Sequence, residues 1–379
     1  MAGSLAMTRT LVHSGLLVDA SGARPGWVFV DGGQIVSVGS PDESPPEADR
    51  SIDAAGGYVT PGFVDIHCHG AGGAQFQDGV DQALAALSAM RAHGTTRAVA
   101  SFVTSAIDSL VASIETVCVA MERDPGLVGV HVEGPFLAPG RKGAHNRDLL
   151  RHPDRAAVDQ VLDVASGVIR QITIAPELPG ALDAVSRFVE AGVPVAVGHT
   201  ECDYDTAREA FARGASLVTH AFNAMAPIQG RLPGVLGAAI AADHVTIEVI
   251  ADGIHVHPAS IALLFTAAPG RVALVTDAIA AAAAPPGRYQ LGELDVDVAD
   301  GRAVVAGTDT LAGSTLTPDR ALRAVVNDCG VSLHEAVAAL TTTPARAIGE
   351  QDPAVLASGA RAELAVLDEG LLVTEVLFG

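Results

Sequence analysis

Apolar and polar positions fall into distinct regimes along this chain. From residue 8 to residue 60 the apolar residues come as short β-type runs, TLVHSGLLV, GWVFVDGGQIVSVG and GGYVT, broken by Gly, Pro and Asp with no helical stretch between them. That pattern predicts a small antiparallel sheet. The stretch ARAELAVLDEGLLVTEVLF near the C-terminus has the same character. Neither end is large enough to bury a core alone, so residues 1–59 and 350–379 are expected to complete one small β-sandwich domain together.

Between the two ends the period changes. Continuous apolar runs occur at GFVDIHCH (62–69), TTRAVASFVT (95–104), GLVGVHVEG (126–134), IRQITIAPE (169–177), VPVAVGHT (193–200), ASLVTHAFN (215–223), VTIEVIADG (245–253) and RVALVTDA (271–278). Segments rich in Ala, Leu and charge separate them, most with the helical period, as in VDQALAALSAMRAHG. Strands that are apolar throughout and alternate with helices indicate a parallel sheet covered on its outer face, and eight such strands are the number that closes a barrel. The expected fold is α/β, a (β/α)8 TIM-type barrel over residues 60–349. After the eighth run, PGRYQLGELDVDVADGRAVVAGTDT (286–310) reads as a β excursion, and helices are expected at 317–328 and 332–348. The Ala-rich piece AIAAAAAPP (278–286) reads as a flexible or helix-edge loop.

Chemistry-bearing residues gather at the ends of the runs. His67 and His69, Glu133, Glu177, His199, His220, Asp252 and Asp277 all fall on the C-terminal side of an apolar strand, where barrel active sites form. Each has an ordinary explanation as a loop hydrogen-bonder. Jointly, imidazoles and carboxylates facing one another in a partly buried mouth are costly unless paired or bound to a cation. The donor set suits a divalent metal, zinc first, with iron, cobalt or manganese as alternatives. Glu133, His199 and His220 offer three ligands from the third, fifth and sixth strands; His67 and His69, with Asp277, offer a second site that shares Glu133. The chain has a single lysine, Lys142, placed past a strand end, so a carbamylated lysine is not expected to bridge two ions.

Charge narrows the partners. A net charge of −21 argues against nucleic acid or an anionic membrane, and any anionic substrate then needs a local cationic pocket. The cysteines, Cys68, Cys118, Cys202 and Cys329, form no Cys-x-x-Cys pair, which suits reduced thiols and a cytoplasmic location. No secretory leader and no apolar run of membrane-spanning length is evident. The stretch MAGSLAM before Thr8 has the look of a non-native leader, with Met7 as the natural start.

Longer motifs add to this reading. PGFVDIHCHG (61–70), HVEGPFLAPGRKGAH (131–145), VGHT (197–200), THAFNAM (219–225), GRLPGVLGAA (230–239), IADGIHVHP (250–258), LVTDA (274–278) and TLAGSTLT (310–317) resemble the amidohydrolase superfamily, and within it the N-acetylglucosamine-6-phosphate deacetylase family. The resemblance implies metal at Glu133, His199 and His220 and a catalytic acid/base at Asp277. It also implies substrate contacts at Ala144, His145, Asn223, Ala224, Arg231, Asp252, His255 and the loop Leu311, Ala312 and Gly313. His145 is expected to donate to the developing oxyanion, and Arg231 and His255 to hold a sugar phosphate with help from the amides of Asn223 and Ala224. Members that keep both histidines of the first motif are expected to take one ion or two. A phosphorylated amino sugar is the expected substrate and a homodimer the expected assembly. His131 is expected to support Glu133 from the same face, Glu177 to serve structure, Cys202 to be inert and His257 to cap a helix. The rivals are another amidohydrolase, acting on a different N-acyl amino sugar or a cyclic amide, and a non-catalytic barrel.

Overall fold

The computed structural model describes residues 8–165 and 167–378; the leader-like stretch before Thr8 lies outside the described residues. The eight apolar runs form eight parallel strands: Phe63–Cys68, Thr95–Phe102, Leu127–Glu133, Ile169–Ile174, Val195–Val197, Leu217–Val218, Thr246–Ile250 and Val272–Val275. They are hydrogen-bonded in chain order, each strand's neighbours being its predecessor and successor, as right-handed β-α-β units require. Every residue in these strands is buried except the half-buried Arg170, because helices cover the outside and side chains fill the inside.

Closure between the first and eighth strands leans on side chains. The Thr276 hydroxyl donates to Asp65 Oδ2 at 2.5 Å, the Asp277 amide donates to the His67 carbonyl at 2.8 Å, and a single parallel bridge joins Cys68 to Ala278. Asp65 is 2% exposed and its burial pushes the carboxyl up to about 6, against the hydrogen bonds from Thr276. The barrel is thus sealed beside the first histidine motif.

The two ends of the chain meet as expected. Strands Thr10–Asp19, Gln34–Gly39 and Tyr58–Pro61 share one seven-stranded sheet with Leu364–Leu367 and Val373–Leu377 from the C-terminus. The sandwich is made from this one sheet: Thr10–Asp19 pairs antiparallel with Gly22–Asp31 and, on its other edge, parallel with Arg50–Asp53 and then Tyr58–Pro61. Val12, Leu17, Val28, Ile35, Val59, Leu364 and Val366 fill its core.

The excursion after the eighth strand is a three-stranded antiparallel sheet, Gly287–Leu291, Leu294–Ala299 and Arg302–Val305. It packs on the barrel mouth through Leu291, Val296 and Ala303 against Ala144, Ile279 and Ala312. Helices Pro318–Asn327, Leu333–Leu340 and Thr342–Ala347 follow. The Ala-rich piece differs from expectation. Residues Ala278–Ala282 are buried, and the Ala278, Ala280 and Ala282 carbonyls accept from the amides of His69 and Gly70, Gly73 and Gly72. Small side chains serve close packing against the first motif here, so the segment is part of the floor of the mouth.

A buried arginine ties barrel to sheet. Arg97, on the second barrel strand and 1% exposed, donates to Glu363 at 2.6 Å and pairs with Asp352 at 3.0 Å. Removing one partner of such a buried pair strands the other charges. Arg97→Ala is expected to lower unfolding stability by about 3–5 kcal/mol in urea titration; a loss below about 1 kcal/mol would mean the cluster contributes no more than an exposed pair.

Candidate active site

The strand ends converge. Glu133 closes the third strand, and its Oε1 lies 3.1 Å from His199 Nε2 and 3.2 Å from His220 Nε2, which are 2.9 Å from each other. On the other side, His67 Nε2 is 3.6 Å from Glu133 Oε1 and His69 Nε2 is 3.4 Å from Oε2. Both imidazoles also face Asp277 Oδ1, at 3.5 and 3.2 Å, and lie 3.3 Å apart. Ligand atoms around a tetrahedral ion with ~2.0–2.1 Å bonds are separated by ~3.3 Å. The two clusters have that spacing, with Glu133 common to both.

Hydrogen bonds behind the rings decide what these nitrogens present. His199 Nδ1 is 2.8 Å from the Arg141 carbonyl and His69 Nδ1 is 3.1 Å from the Ser101 carbonyl. A carbonyl only accepts, so each Nδ1 carries the proton and each neutral ring presents a lone pair at Nε2. His67 Nδ1 faces Glu248 Oε2 at 3.1 Å with the same result. His220 Nδ1 is buried with no partner. Lone pairs of several imidazoles therefore face a carboxylate in a buried space, an arrangement that fits a cation. The electrostatics show how strongly this space attracts positive charge. Burial opposes charge on His67, yet Glu133 and Asp277 raise its pKa well above the ordinary histidine range, so a proton is drawn to the place a cation would take; burial likewise opposes charge on Glu133, yet neighbouring His67 and the surrounding imidazoles hold it well below the ordinary carboxylate range.

His145 is different. Its Nδ1 accepts from the Thr104 amide at 3.1 Å and lies 2.9 Å from the Thr104 hydroxyl. An amide only donates, so the neutral ring carries its proton on Nε2, which points at Glu133 Oε2 from 3.5 Å. Burial and nearby His199 push its pKa down to about 4. His145 is a neutral donor aimed into the site, although it stands among groups close enough to be counted with the ligands. Lys142 sits on the same loop, its Nζ donating to the Gly143 and His145 carbonyls.

Four site residues occupy the left-handed backbone region, His199 (φ 46), His220 (φ 26), Ala224 (φ 49) and Asp277 (φ 48). Such conformations are costly without Gly and persist where the surroundings impose them. Gly313, at φ +57, passes so close that a Cβ would lie 2.8 Å from the Asp277 carbonyl oxygen.

Sequence reasoning missed Glu248. This carboxylate is fully buried on the seventh strand, accepts from Gln171 at 2.6 Å and from the His220 amide at 3.3 Å, and faces His67 Nδ1. The signal was present: Glu248 is the lone charge inside the apolar run VTIEVI. His131 does not bond Glu133. It lies between the Ser101 and Thr173 hydroxyls at 3.0 and 2.8 Å and meets the His67 ring edge-on with centroids 4.5 Å apart, so its support goes to His67. Glu177 accepts from the Thr200 hydroxyl and the Glu201 amide, tying two strand-end loops. His257 caps the following helix by accepting from the Ala259 amide. Burial pushes the Cys202 thiol up to about 12, which leaves it unreactive.

A cavity of about 140 Å³ opens on the cluster, lined by His69, Glu133, His145, His199, His220 and Asp277 together with Asn223, Ala224 and His255. Val103, Ala144, Leu291, Leu311 and Gly313 complete its walls. Ala312 is fully buried behind the loop, packed with the excursion. His255 Nδ1 is 2.7 Å from Asp252 Oδ2, while Asp252 Oδ1 accepts from the Ile254 and His255 amides. Burial disfavours the His255 charge, but Asp252 outweighs it and raises the pKa above the ordinary value. Arg231 is not brought to this cavity. It is exposed on the tight turn Gln229–Leu232, beside exposed Ile228 and Leu232.

Comparison with known proteins gives this geometry its context. Residues 58–378 match the amidohydrolase family. The chain belongs to that family. The amidohydrolase is 35% identical over 325 residues to the N-acetylgalactosamine-6-phosphate deacetylase of Escherichia coli O157:H7, covering 84% of this chain and 85% of the relative. It is also 35% identical over 340 residues to the N-acetylglucosamine-6-phosphate deacetylase of Bos taurus, covering 86% and 83%. The structure of the Mycobacterium smegmatis N-acetyl-D-glucosamine-6-phosphate deacetylase, solved as a mutant in complex with N-acetyl-D-glucosamine-6-phosphate, superposes with a TM-score of 0.93 at 41% identity over 98% of both chains.

Removing the charge behind His67 tests whether the Glu133 cluster holds a metal. Glu248→Gln is expected to weaken divalent-ion binding at the His67/His69 side by about 10–100-fold, read by competition titration against a chromophoric chelator and by metal analysis. Binding indistinguishable from the unaltered protein would show that Glu248 does not orient the ligand.

Proposed function

We propose that this amidohydrolase removes the acetyl group from N-acetylglucosamine 6-phosphate, giving glucosamine 6-phosphate and acetate. One observation carries the reading: a single cavity is lined both by a cation-ready cluster of imidazole lone pairs around Glu133 and by His255, whose ring is paired with Asp252. The relatives named for the same chemistry support it.

Glu133, His199 and His220 would hold one divalent ion, zinc by donor type, and His67 and His69 with Asp277 a second one sharing Glu133. Such an ion supplies acidity to water near neutral pH and polarises a carbonyl. The remaining work falls to the chain. Asp277, 8% exposed and lining the cavity, accepts the proton of the attacking water and returns it to the amine nitrogen as the C–N bond breaks, which makes that nitrogen a viable leaving group. His145 donates from Nε2 to the carbonyl oxygen as it gains charge, an interaction of the kind worth about 3–4 kcal/mol in acyl transfer. His255 donates to the phosphate, its charge favoured by Asp252, with the Ala224 amide assisting; the Asn223 amide is committed to the His220 carbonyl at 3.1 Å.

The phosphate site draws on a second copy of the chain in this reading. Arg231 is exposed beside apolar Ile228 and Leu232, a combination that suits a homodimer contact through which the guanidinium reaches the partner's cavity. All four cysteines are free, which accords with a cytoplasmic enzyme. Among the described residues no helix is long and apolar enough to cross a membrane.

Chelator dialysis is expected to abolish acetate release and added zinc to restore it, assayed with the glucosamine and galactosamine epimers in parallel; release unaffected by chelation would remove the metal from the reading. Asp277→Asn is expected to lower kcat by about 10²–10⁴-fold with an unchanged melting temperature. The pH dependence has a fixed sign. The His255 charge is fully present below its ordinary value and is lost as pH rises through the raised one, so KM for the phosphorylated sugar is expected to climb in that alkaline window. The unphosphorylated sugar should show no such climb, and parallel profiles for both would count against His255 as the phosphate donor.

A further inference from the structure

A second cavity, of about 230 Å³, lies behind the reaction cavity and shares three lining residues with it, Val103, Ala144 and Leu291. It is lined by the turn of the excursion at Gly292 and by Gln77, Ser105, Ser109 and Ser113, with exposed Asp78 and Glu293 also bordering it. The turn is fixed: the Gly292 amide donates to Gln75 Oε1 at 2.9 Å, and Val103 Cγ2 packs so close that a Cβ on Gly292 would sit 2.7 Å from it.

The shared wall stands at a specific place in the chemistry. Ala144 immediately precedes His145, and Val103 immediately precedes Thr104, whose amide and hydroxyl hold His145 Nδ1. The residues on either side of the oxyanion donor are therefore this wall. One substituent of an amide carbonyl polarised by His145 is the sugar nitrogen, which leads toward His255. The other is the acyl chain, and Val103, Ala144 and Leu291 are the apolar surface beside the donor.

We propose that Val103 and Leu291 set the length of N-acyl chain this enzyme accepts, and that the cavity behind them receives the tail of longer neutral acyl groups. The inference rests on the deacetylase reading above. The reaction is the same hydrolysis: water oxygen bonds to the acyl carbon, the C–N bond breaks, the nitrogen takes a proton, and a longer carboxylic acid leaves in place of acetate. The rim residues Asp78 and Glu293 repel an acyl chain that ends in a carboxylate. Hydroxyls from Thr104, Ser105, Ser109 and Ser113 accommodate a neutral polar tail. The volume is ample, since ~10–15 Å³ already admits a water.

The test measures kcat/KM for N-acetyl-, N-propionyl-, N-butyryl- and N-succinylglucosamine 6-phosphate on the metal-loaded enzyme and on Val103→Ala, Leu291→Ala and Val103→Ile. Each variant's ratio to its own N-acetyl value cancels general losses. The unaltered enzyme is expected to disfavour N-butyryl by about tenfold or more. Either Ala variant is expected to raise the butyryl/acetyl ratio by about tenfold and leave succinyl/acetyl unmoved, and Val103→Ile, which creates no void, to lower propionyl/acetyl. An unaltered enzyme that accepts N-butyryl as readily as N-acetyl, ratios within about twofold in every folded variant, or an equal rise for N-succinyl would overturn the proposal. Absence of acetate release from the unaltered, metal-loaded enzyme would instead remove the deacetylase reading on which it rests.

Discussion

The Glu133 carboxylate, 3% exposed and surrounded by five imidazole nitrogens at 3.1–3.6 Å, is the constraint from which the rest of the site follows. A buried carboxylate among neutral rings is unfavourable, and the rings' own lone pairs repel each other. Positive charge at the centre relieves both. For that to hold, each ring must face inward with the correct nitrogen deprotonated. The Arg141 and Ser101 carbonyls and Glu248 impose this on His199, His69 and His67 from behind. Thr104, by donating to His145, imposes the reverse on that ring, which keeps its proton on the inward nitrogen. The difference between a ligand and a donor thus resides in groups one layer out, carbonyl in one case and amide in the other.

That outer layer is itself built from the barrel interior. Ser101 accepts from the Cys68 amide and contacts His131, His131 contacts Thr173, and Thr173 contacts Thr219, each within 2.8–3.0 Å. A polar chain thus crosses the first, second, third, fourth and sixth strands beneath the Glu133 cluster. Fully bonded buried polar networks are rigid because any displacement leaves a group unsatisfied. The parallel barrel supplies the frame, since each strand brings one residue to the same level. The left-handed backbone at His199, His220 and Asp277 shows the frame overriding local preference just above that level.

Much of this was legible along the chain. Strand number, barrel order, the excursion and the joining of the two ends follow from apolar runs and their spacing. So do the converging residues, because a strand's C-terminal end has one possible destination in a barrel. What escaped were features that depend on neighbours distant in sequence. Glu248 looked like one charge in a strand; its meaning comes from His67, 181 positions away. The Ala-rich segment looked loose because composition records small side chains and not the amides of Gly70, Gly72 and Gly73 that fix it. His131 was assigned to the wrong neighbour, since facing one side of a strand does not reveal which adjacent strand supplies the partner.

Electrostatics then explains why recognition at His255 must be local. The chain carries −21 charges, which repel a phosphorylated sugar, but at physiological ionic strength that field is screened beyond about 8 Å. Inside the cavity screening is weak, and a single paired imidazolium outweighs the distant carboxylates. Asp252 costs part of that attraction by adding a negative charge nearby, yet burial disfavours the His255 charge and Asp252 is the partner that raises its pKa above the ordinary value. Both Asp252 and His255 side chains are about as inaccessible, 5% and 6% exposed, so each is the other's nearest compensation for burial. In an acidic protein, an imidazole that carries its own buried counter-ion is a local donor to which the distant surface charge matters little.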